Sequence, residues 1–541
     1  MPARGTLLLR LALTPALAAL VLACASATPT PAATPNASAV TTATVAAAPP
    51  PAPALPPLPE GPELKLSIVG FSDFHGWLVP LEPKGFTRFY GGLANIAAML
   101  EHKERLDPRT SIVVDNGDMW TGPMESTLLK GESVVAAYNA LGVTAVNVAN
   151  HEFDFGQEVL KQRLSEARFP FLGANIVKAG SLEPAPLFKP YVIVDRGGVK
   201  VAIIGLTFQD TPRTTLAKHV AGLEFRPYAE TLRRVVPAVR GEGADVVLVL
   251  FHDTVDEIKK CLEALPDLGI TAVIAGQNHR KESATVHDTP IVNPGPFGRS
   301  YVRFDVVVDR ATKKLVSRGF ELVDVTGEIA SPAYPPKAEL VGLVESARQR
   351  AKTLGGEVVG QLARPLPVGT FDNTPVGQMI VDAWLDALPH ADFAISNHGS
   401  LRQPLPAGDV TVGDVLGVLP FENNLFVVKL TGKQLKEELA NDGPVVAGLT
   451  WKFREDAKKG RVVVSAADRL GRMIDDRKVY RVVINDFMYF GGDGFRFREH
   501  DADPEDTGLS LREPVLRALR GAAANAQPLD PPAGARAVKV R

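Results

Sequence analysis

Five short segments of this 541-residue chain combine imidazole, carboxylate and amide side chains at close spacing. They are Ser72-Asp73-Phe74-His75-Gly76, Asp115-Asn116-Gly117-Asp118, Asn150-His151-Glu152-Phe153-Asp154, Phe251-His252-Asp253 and Gly276-Gln277-Asn278-His279. Nitrogen and oxygen donors without thiolates suit divalent ions such as Mn²⁺, Zn²⁺, Fe²⁺ or Co²⁺, and exclude a soft thiolate site. A carboxylate can bridge two cations about 3.5–4 Å apart, an arrangement that serves in-line displacement at phosphorus. Asp118 is the candidate bridge. Taken singly, each element reads as an ordinary feature: an Asp-x-His turn, an Asn turn former, a histidine at a strand end. The joint pattern carries the metal reading, because four of the ten histidines (His75, His151, His252 and His279) fall in these segments. His102, His219, His287, His390, His398 and His500 read as surface or packing residues.

Each segment follows an apolar run that must position it: Leu66 to Phe71, Ile112 to Val114, Ala145 to Val148, Val246 to Leu250 and Ala272 to Ala275. Such continuous runs, alternating with helical periodicity, predict buried strands in an α/β arrangement. Loops at the carboxyl ends of such strands converge on one crevice. Tyr301 to Val308 alternates and closes this region. Residues 337–354, KAELVGLVESARQRAKTL, predict a connecting helix stopped by Gly355-Gly356. A second region, 357–521, carries strands and helices of its own, including Val376 to Leu388, Leu425 to Leu430 and Val479 to Ile484. Residues 522–541 read as a frayed tail.

The length predicts two domains. A formal net charge of −2, with no concentration of Lys and Arg, excludes polymeric nucleic acid as a partner. Two cysteines, Cys24 and Cys261, exclude a disulfide framework. Residues 1–24 carry Arg4, Arg10 and an apolar run too short to span a bilayer, and read as a signal peptide. Its end, Val21-Leu22-Ala23-Cys24, resembles the bacterial lipobox, which implies an exported protein anchored to a membrane by a lipid on Cys24. Residues 25–62, rich in Ala, Pro and Thr, read as a tether. Cys261 reads as a small packed hydrophobe.

The order D-x-H, GD, NHE-x-D, strand-end His and a fifth polar loop resembles the metallophosphoesterase core of the 5′-nucleotidase and UDP-sugar hydrolase family. The resemblance implies an N-terminal metallophosphoesterase αββα sandwich over 63–330, a connecting helix or hinge over 331–356, and a C-terminal α/β substrate-binding domain over 357–521. It implies two divalent ions (Mn, Zn, Co or Fe), with Asp73 and His75 on the first, Asp118 bridging, and Asn150 and His252 on the second. It also implies that His151, paired with Asp154, faces the phosphoryl group. The fifth loop departs from the family's Gly-His-x-Gln, Asn or His, since Gln277 stands where the His is expected and His279 lies two residues on. Two readings stay open: His279 serves the first ion and Gln277 the second, or the second ion is lost or exchangeable.

In the second region, Asn397-His398-Gly399-Ser400-Leu401-Arg402, Leu419 to Leu425 and Asn485 to Phe495 resemble the substrate-binding segments of the family. By that resemblance Phe421 and Phe487 stack a base, Asp493 binds ribose, Asn423 bonds base or sugar, and Asn397 and Arg402 line the site, with Arg402 on phosphate. A second family arginine before the helix near Thr374 is missing, and Arg364 is the nearest substitute. The implied activity is 5′-nucleotide hydrolysis. UDP-sugar or 2′,3′-cyclic nucleotide hydrolysis and a weakened nucleotide-binding lipoprotein are the alternatives.

Overall fold

In the first domain, apolar runs pair into two six-stranded sheets. The first has the order Leu315–Asp324, Ser300–Asp309, Glu63–Phe71, Ser111–Asp115, Ala145–Asn147, Phe171–Leu172, and its last four strands run parallel. The second has the order Lys281–Val286, Thr289–Pro294, Ala272–Ile274, Val246–Phe251, Val199–Leu206, Tyr191–Arg196, with a parallel centre. This structure, a computed structural model, describes residues 57–540 except 59, 83–86, 216, 422, 442, 459 and 532–533. The expected signal peptide, Cys24 and most of the tether therefore lie outside the described residues.

The strand Val246–Phe251 shows why the runs are continuous rather than alternating. Val246, Leu248 and Leu250 enter a core between the sheets with Leu66, Ile68, Ile112 and Val114. Val247, Val249 and Phe251 face the other way, onto the helices Tyr228–Gly241 and Val255–Glu263. A strand buried on both faces has no polar side to show. Helices Leu93–His102 and Glu132–Leu141 cover the outer face of the first sheet, which completes the four expected αββα layers. Gly70 sits where the sheets approach closely: a Cβ there would lie 2.1 Å from Ile274 Cδ1.

The connecting helix spans Ala338–Gly355 and packs Leu340 and Val344 into the first domain's core. Arg350 grips Glu132 with two hydrogen bonds of 2.7 and 2.9 Å. The helix is thus an integral part of the first domain, and the chain passes to the second through Gly355, Gly356 and Glu357.

The second domain holds a five-stranded sheet in the order Pro444–Ala447, Phe393–Asn397, Val479–Asn485, Asn424–Thr431, Glu505–Ser510. Helices Pro375–Ala387 and Glu513–Ala524 cover one face, and Gly432–Leu439 with a small three-stranded sheet covers the other. Cys261 lies half-buried on its helix, and burial pushes its thiol up to about 11, in keeping with a packing role.

The end of the chain corrects the expectation of a frayed tail. The helix Glu513–Ala524 runs past residue 521, and Ala537–Lys539 pairs in parallel with Leu449–Asp456. Arg536 anchors this strand through Asp382 Oδ1 at 2.9 Å and the Val446 carbonyl at 2.8 Å. Composition could not reveal a register set by an ion pair so distant in sequence. Arg536→Ala, which strands a half-buried carboxylate and a carbonyl, is expected to lower unfolding stability by about 1–3 kcal/mol in urea titration.

Candidate active site

The five polar loops leave neighbouring parallel strands and are laced together by their backbones. Asp73 N–H donates to the Gly117 carbonyl at 3.0 Å, His75 N–H to Asp118 O at 2.8 Å, and Gly276 N–H to Asp253 O at 3.0 Å. Asp73, His75, Asp118, Gln277 and His279 all have φ between 49° and 72°. Non-glycine residues seldom adopt that conformation, and they persist in it where surrounding structure over-determines the turn.

This lacing brings the donors to one point. Three overlapping groups, Asp73-His75-His279, His75-Asp118-His151 and Asp73-Asp118-His252, each hold donor atoms within 4.8 Å of one another. His75 Nε2 lies 3.0 Å from His279 Nε2, and His252 Nε2 lies 3.0 Å from Asp118 Oδ2. The opposite ring nitrogens are occupied: His75 Nδ1 bonds the Thr121 carbonyl at 2.8 Å and His252 Nδ1 the Asn116 carbonyl at 2.9 Å. Such bonds fix the ring and turn Nε2 toward the cluster, as metal-ligating imidazoles require. Asn150 Oδ1 is buried without a hydrogen-bond partner among the described residues. A mixed carboxylate, imidazole and amide set with an orphaned amide oxygen fits divalent cations.

The electrostatics agree with that fit. Burial first, then Arg402 and the neighbouring imidazoles, holds His75 well below its ordinary pKa, and burial likewise lowers His279. Both therefore offer lone pairs. Burial would lower His252 too, but Asp118 and Asp73 outweigh it and push this imidazole up to about 10. The negative field that retains that proton is the field that would hold a cation in its place. Burial works to raise Asp118, yet His252, His151 and His75 keep it well below the carboxylate range.

His151 occupies a single 3₁₀ turn, His151–Phe153. Its Nδ1 bonds Asp154 Oδ2 at 2.7 Å, and its Nε2 meets Arg402 Nη2 of the second domain at 2.9 Å. Phe421 stacks on the imidazole at 5.7 Å, and the Arg402 guanidinium lies 5.1 Å from the Phe421 ring. Beyond them Asn397 Nδ2 donates to Asp493 Oδ2 at 2.7 Å, and Asn423 Nδ2 to Asp486 Oδ1 at 2.6 Å. Phe487 lies against Gly492, where a Cβ would stand 2.3 Å from the ring. One cavity of about 210 Å³ joins Asp118, Asn150, His151, Asp154, Gln277 and His279 to Asn397, Arg402, Phe421, Asn423, Phe487 and Asp493.

Comparison with known proteins agrees with this geometry. Residues 358–499 match the family described as 5′-nucleotidase, C-terminal domain, and residues 110–292 match bacterial capsule synthesis protein PGA_cap. A probable 5′-nucleotidase of Treponema pallidum is 24% identical over 551 residues, covering 85% of this chain and 92% of that protein. A 5′-nucleotidase precursor from Thermus thermophilus superposes with a TM-score of 0.76 at 25% identity, covering 88% of this chain and all of that one. The chain is thus similar to proteins named 5′-nucleotidase over most of its length, and to the 5′-nucleotidase C-terminal domain over residues 358–499. A cell wall protein of Listeria monocytogenes, Lmo0130, is 26% identical over 505 residues, and the match covers 80% of this chain and 64% of that protein's length.

Two features were missed in the sequence, and one expectation is corrected. Thr214, Thr215 and His219 line the cavity from the loop after Val199–Leu206, so His219, expected as a surface or packing residue, is buried and also borders the site. The residues that follow that strand, Thr207, Phe208 and Gln209, offer no Asp or His before Asp210, which hid it. Arg364, the expected substitute for a missing arginine, instead bonds Asp530 at 2.9 Å and the Pro531 carbonyl at 2.6 Å, away from the cavity. Glu152 is fully buried and accepts the N–H groups of Ala149, Asp118 and Met119 at 2.7, 3.0 and 2.8 Å. Burial and the Asp118 charge push it up to about 8, against the pull of those donors. It therefore holds the backbone of Asp118 in place. Glu152→Gln turns an amide N–H₂ toward one of these donors, and a loss of about 1–3 kcal/mol is expected in urea unfolding.

Proposed function

We propose that the protein is an exported, metal-dependent phosphoester hydrolase that releases nucleoside and phosphate from 5′-nucleotides. The observation that carries this reading is the single cavity in which the donor cluster and the aromatic and amide side chains of the second domain meet. In this reading Asp73, His75 and His279 hold one cation, Asn150, His252 and Gln277 hold another, and Asp118 is shared. Bound there, a cation pair supplies Lewis acidity and charge neutralisation for attack by water at phosphorus.

The chain's own residues do the rest. Arg402 Nη2 donates toward His151 Nε2 across 2.9 Å, a contact that an entering phosphoryl group would displace, with its oxygen then accepting from the guanidinium. Asp154 orients the ring through Nδ1, which leaves Nε2 to protonate the departing 5′ oxygen as the P–O bond breaks. Phe421 and Phe487 stack the base, Asn423 bonds base or sugar, and Asn397 with Asp493 receives the ribose hydroxyls. The similarity to proteins named 5′-nucleotidase supports the substrate class.

His151→Ala is expected to lower kcat on adenosine 5′-monophosphate by about 10²–10⁴-fold while bound metal is retained. Near-full turnover would contradict its acid role. Phe487→Ala is expected to raise KM for the nucleotide about 5- to 150-fold, the worth of one stacked base, and to leave p-nitrophenyl phosphate hydrolysis nearly unchanged. Equal losses on the two substrates would exclude base stacking.

Export and lipid attachment rest on the segment ending at Cys24, and the likeness to a cell wall protein supports export. No helix among the described residues is long and apolar enough to cross a membrane. Metabolic labelling with palmitate should mark the wild-type protein and not Cys24→Ala, which should leave the membrane fraction. Labelling of both would remove the anchor assignment.

A further inference from the structure

Resting on the two-cation reading above, we infer that the two cation positions differ in affinity because the fifth loop delivers its imidazole to the position of Asp73 and His75. His279 Nε2 stands 3.0 Å from His75 Nε2 and 3.7 Å from Asp73 Oδ1, so this position has two imidazoles and a carboxylate. The position around Asp118 and His252 has one imidazole, with the Asp73 carboxylate reaching it too at 3.7 Å, so the two positions differ in imidazole number and not in carboxylates. Its further donors are amides: Asn150, with its buried and unpartnered Oδ1, and Gln277, which lines the same cavity.

The loop cannot slide to exchange the two side chains. Gln277 N–H donates to Asp73 Oδ1 at 2.9 Å. A Cβ on Gly276 would lie 2.2 Å from Ser72 Oγ, so the loop packs there without slack. Asn278 between the two is pinned by Glu282 at 2.8 Å and by Asn293 at 3.0 Å. The register is fixed: the imidazole of His279 stands beside Asp73 and His75, and Gln277, two residues earlier, lines the cavity with Asp118 and Asn150. Amide oxygen is a weaker donor than imidazole for Co²⁺ or Zn²⁺ and suits harder ions. The position of Asp73, His75 and His279 therefore retains a transition metal, while that of Asn150, His252 and Gln277 exchanges readily and accepts Mn²⁺ or Mg²⁺.

The test is calorimetric titration of Co²⁺ into the full-length protein, held in detergent and stripped with a chelator, followed by metal analysis after desalting. Two binding events separated by about tenfold or more are expected, since even changes around a ligand shift metal affinity on that scale. One Co²⁺ per chain should survive desalting. Gln277→His should narrow the gap and raise retention toward two ions per chain. His279→Gln, checked for native circular dichroism, should lose the tight event. Two equal, retained ions in the wild type, or a weak event unmoved by Gln277→His, would overturn the inference. If such a protein still hydrolyses nucleotides, only the inequality fails; if no ion binds, the metal-dependent reading fails with it.

Discussion

Two carboxylates, Asp73 and Asp118, lie together almost wholly shielded from water, and most of the first domain can be understood as what makes that tolerable. Like charges so placed are strongly unfavourable unless paired, bonded or held by a cation. Here the compensation comes from all sides: His252 and His279 on Asp73, His252 and the His151 N–H on Asp118, and the Gln277 N–H on Asp73. Each of those groups stands at the end of a strand or in the loop after it. The two sheets fix the strand ends and close packing at Gly70 sets their separation, so the position of every donor follows from the core behind it. Glu152 adds a further buried carboxylate whose task is to hold the Asp118 loop through three backbone N–H groups.

The second domain completes rather than merely covers this cluster. Arg402, deeply desolvated, reaches His151, and Phe421 stacks on the same imidazole. A guanidinium in that setting is held by the summed field of Asp154, Asp118, Asp493 and Asp73. The charge balance of the cavity is therefore shared by both domains. Because the helix Ala338–Gly355 belongs to the first domain's core, the link between them shortens to Gly355, Gly356 and Glu357.

What could be read from the sequence follows the same physics. Runs such as Val246 to Leu250 announced buried strands because both their faces are covered, and the polar loops after them announced a shared site because imidazole and carboxylate are rare at buried strand ends. The fifth loop was legible only as a departure. Its letters left open whether His279 and Gln277 each serve an ion or the second ion is lost or exchangeable, and the positive φ values with the bond from Gln277 N–H to Asp73 put His279 beside His75. Thr214, Thr215 and His219 were hidden because hydroxyls and a lone histidine after an unremarkable strand carry no metal signature. The closing strand Ala537–Lys539 was hidden because its register depends on Arg536 reaching Asp382, a pairing no local pattern records.

The central claim is that the buried donor cluster exists to hold divalent cations for hydrolysis at phosphorus. Its most direct test measures phosphate released from adenosine 5′-monophosphate by chelator-stripped protein before and after Mn²⁺ or Co²⁺ is restored. The account predicts that turnover is lost on stripping and returns with the metal, with one phosphate released per adenosine formed. Full turnover by protein proven free of metal would contradict it.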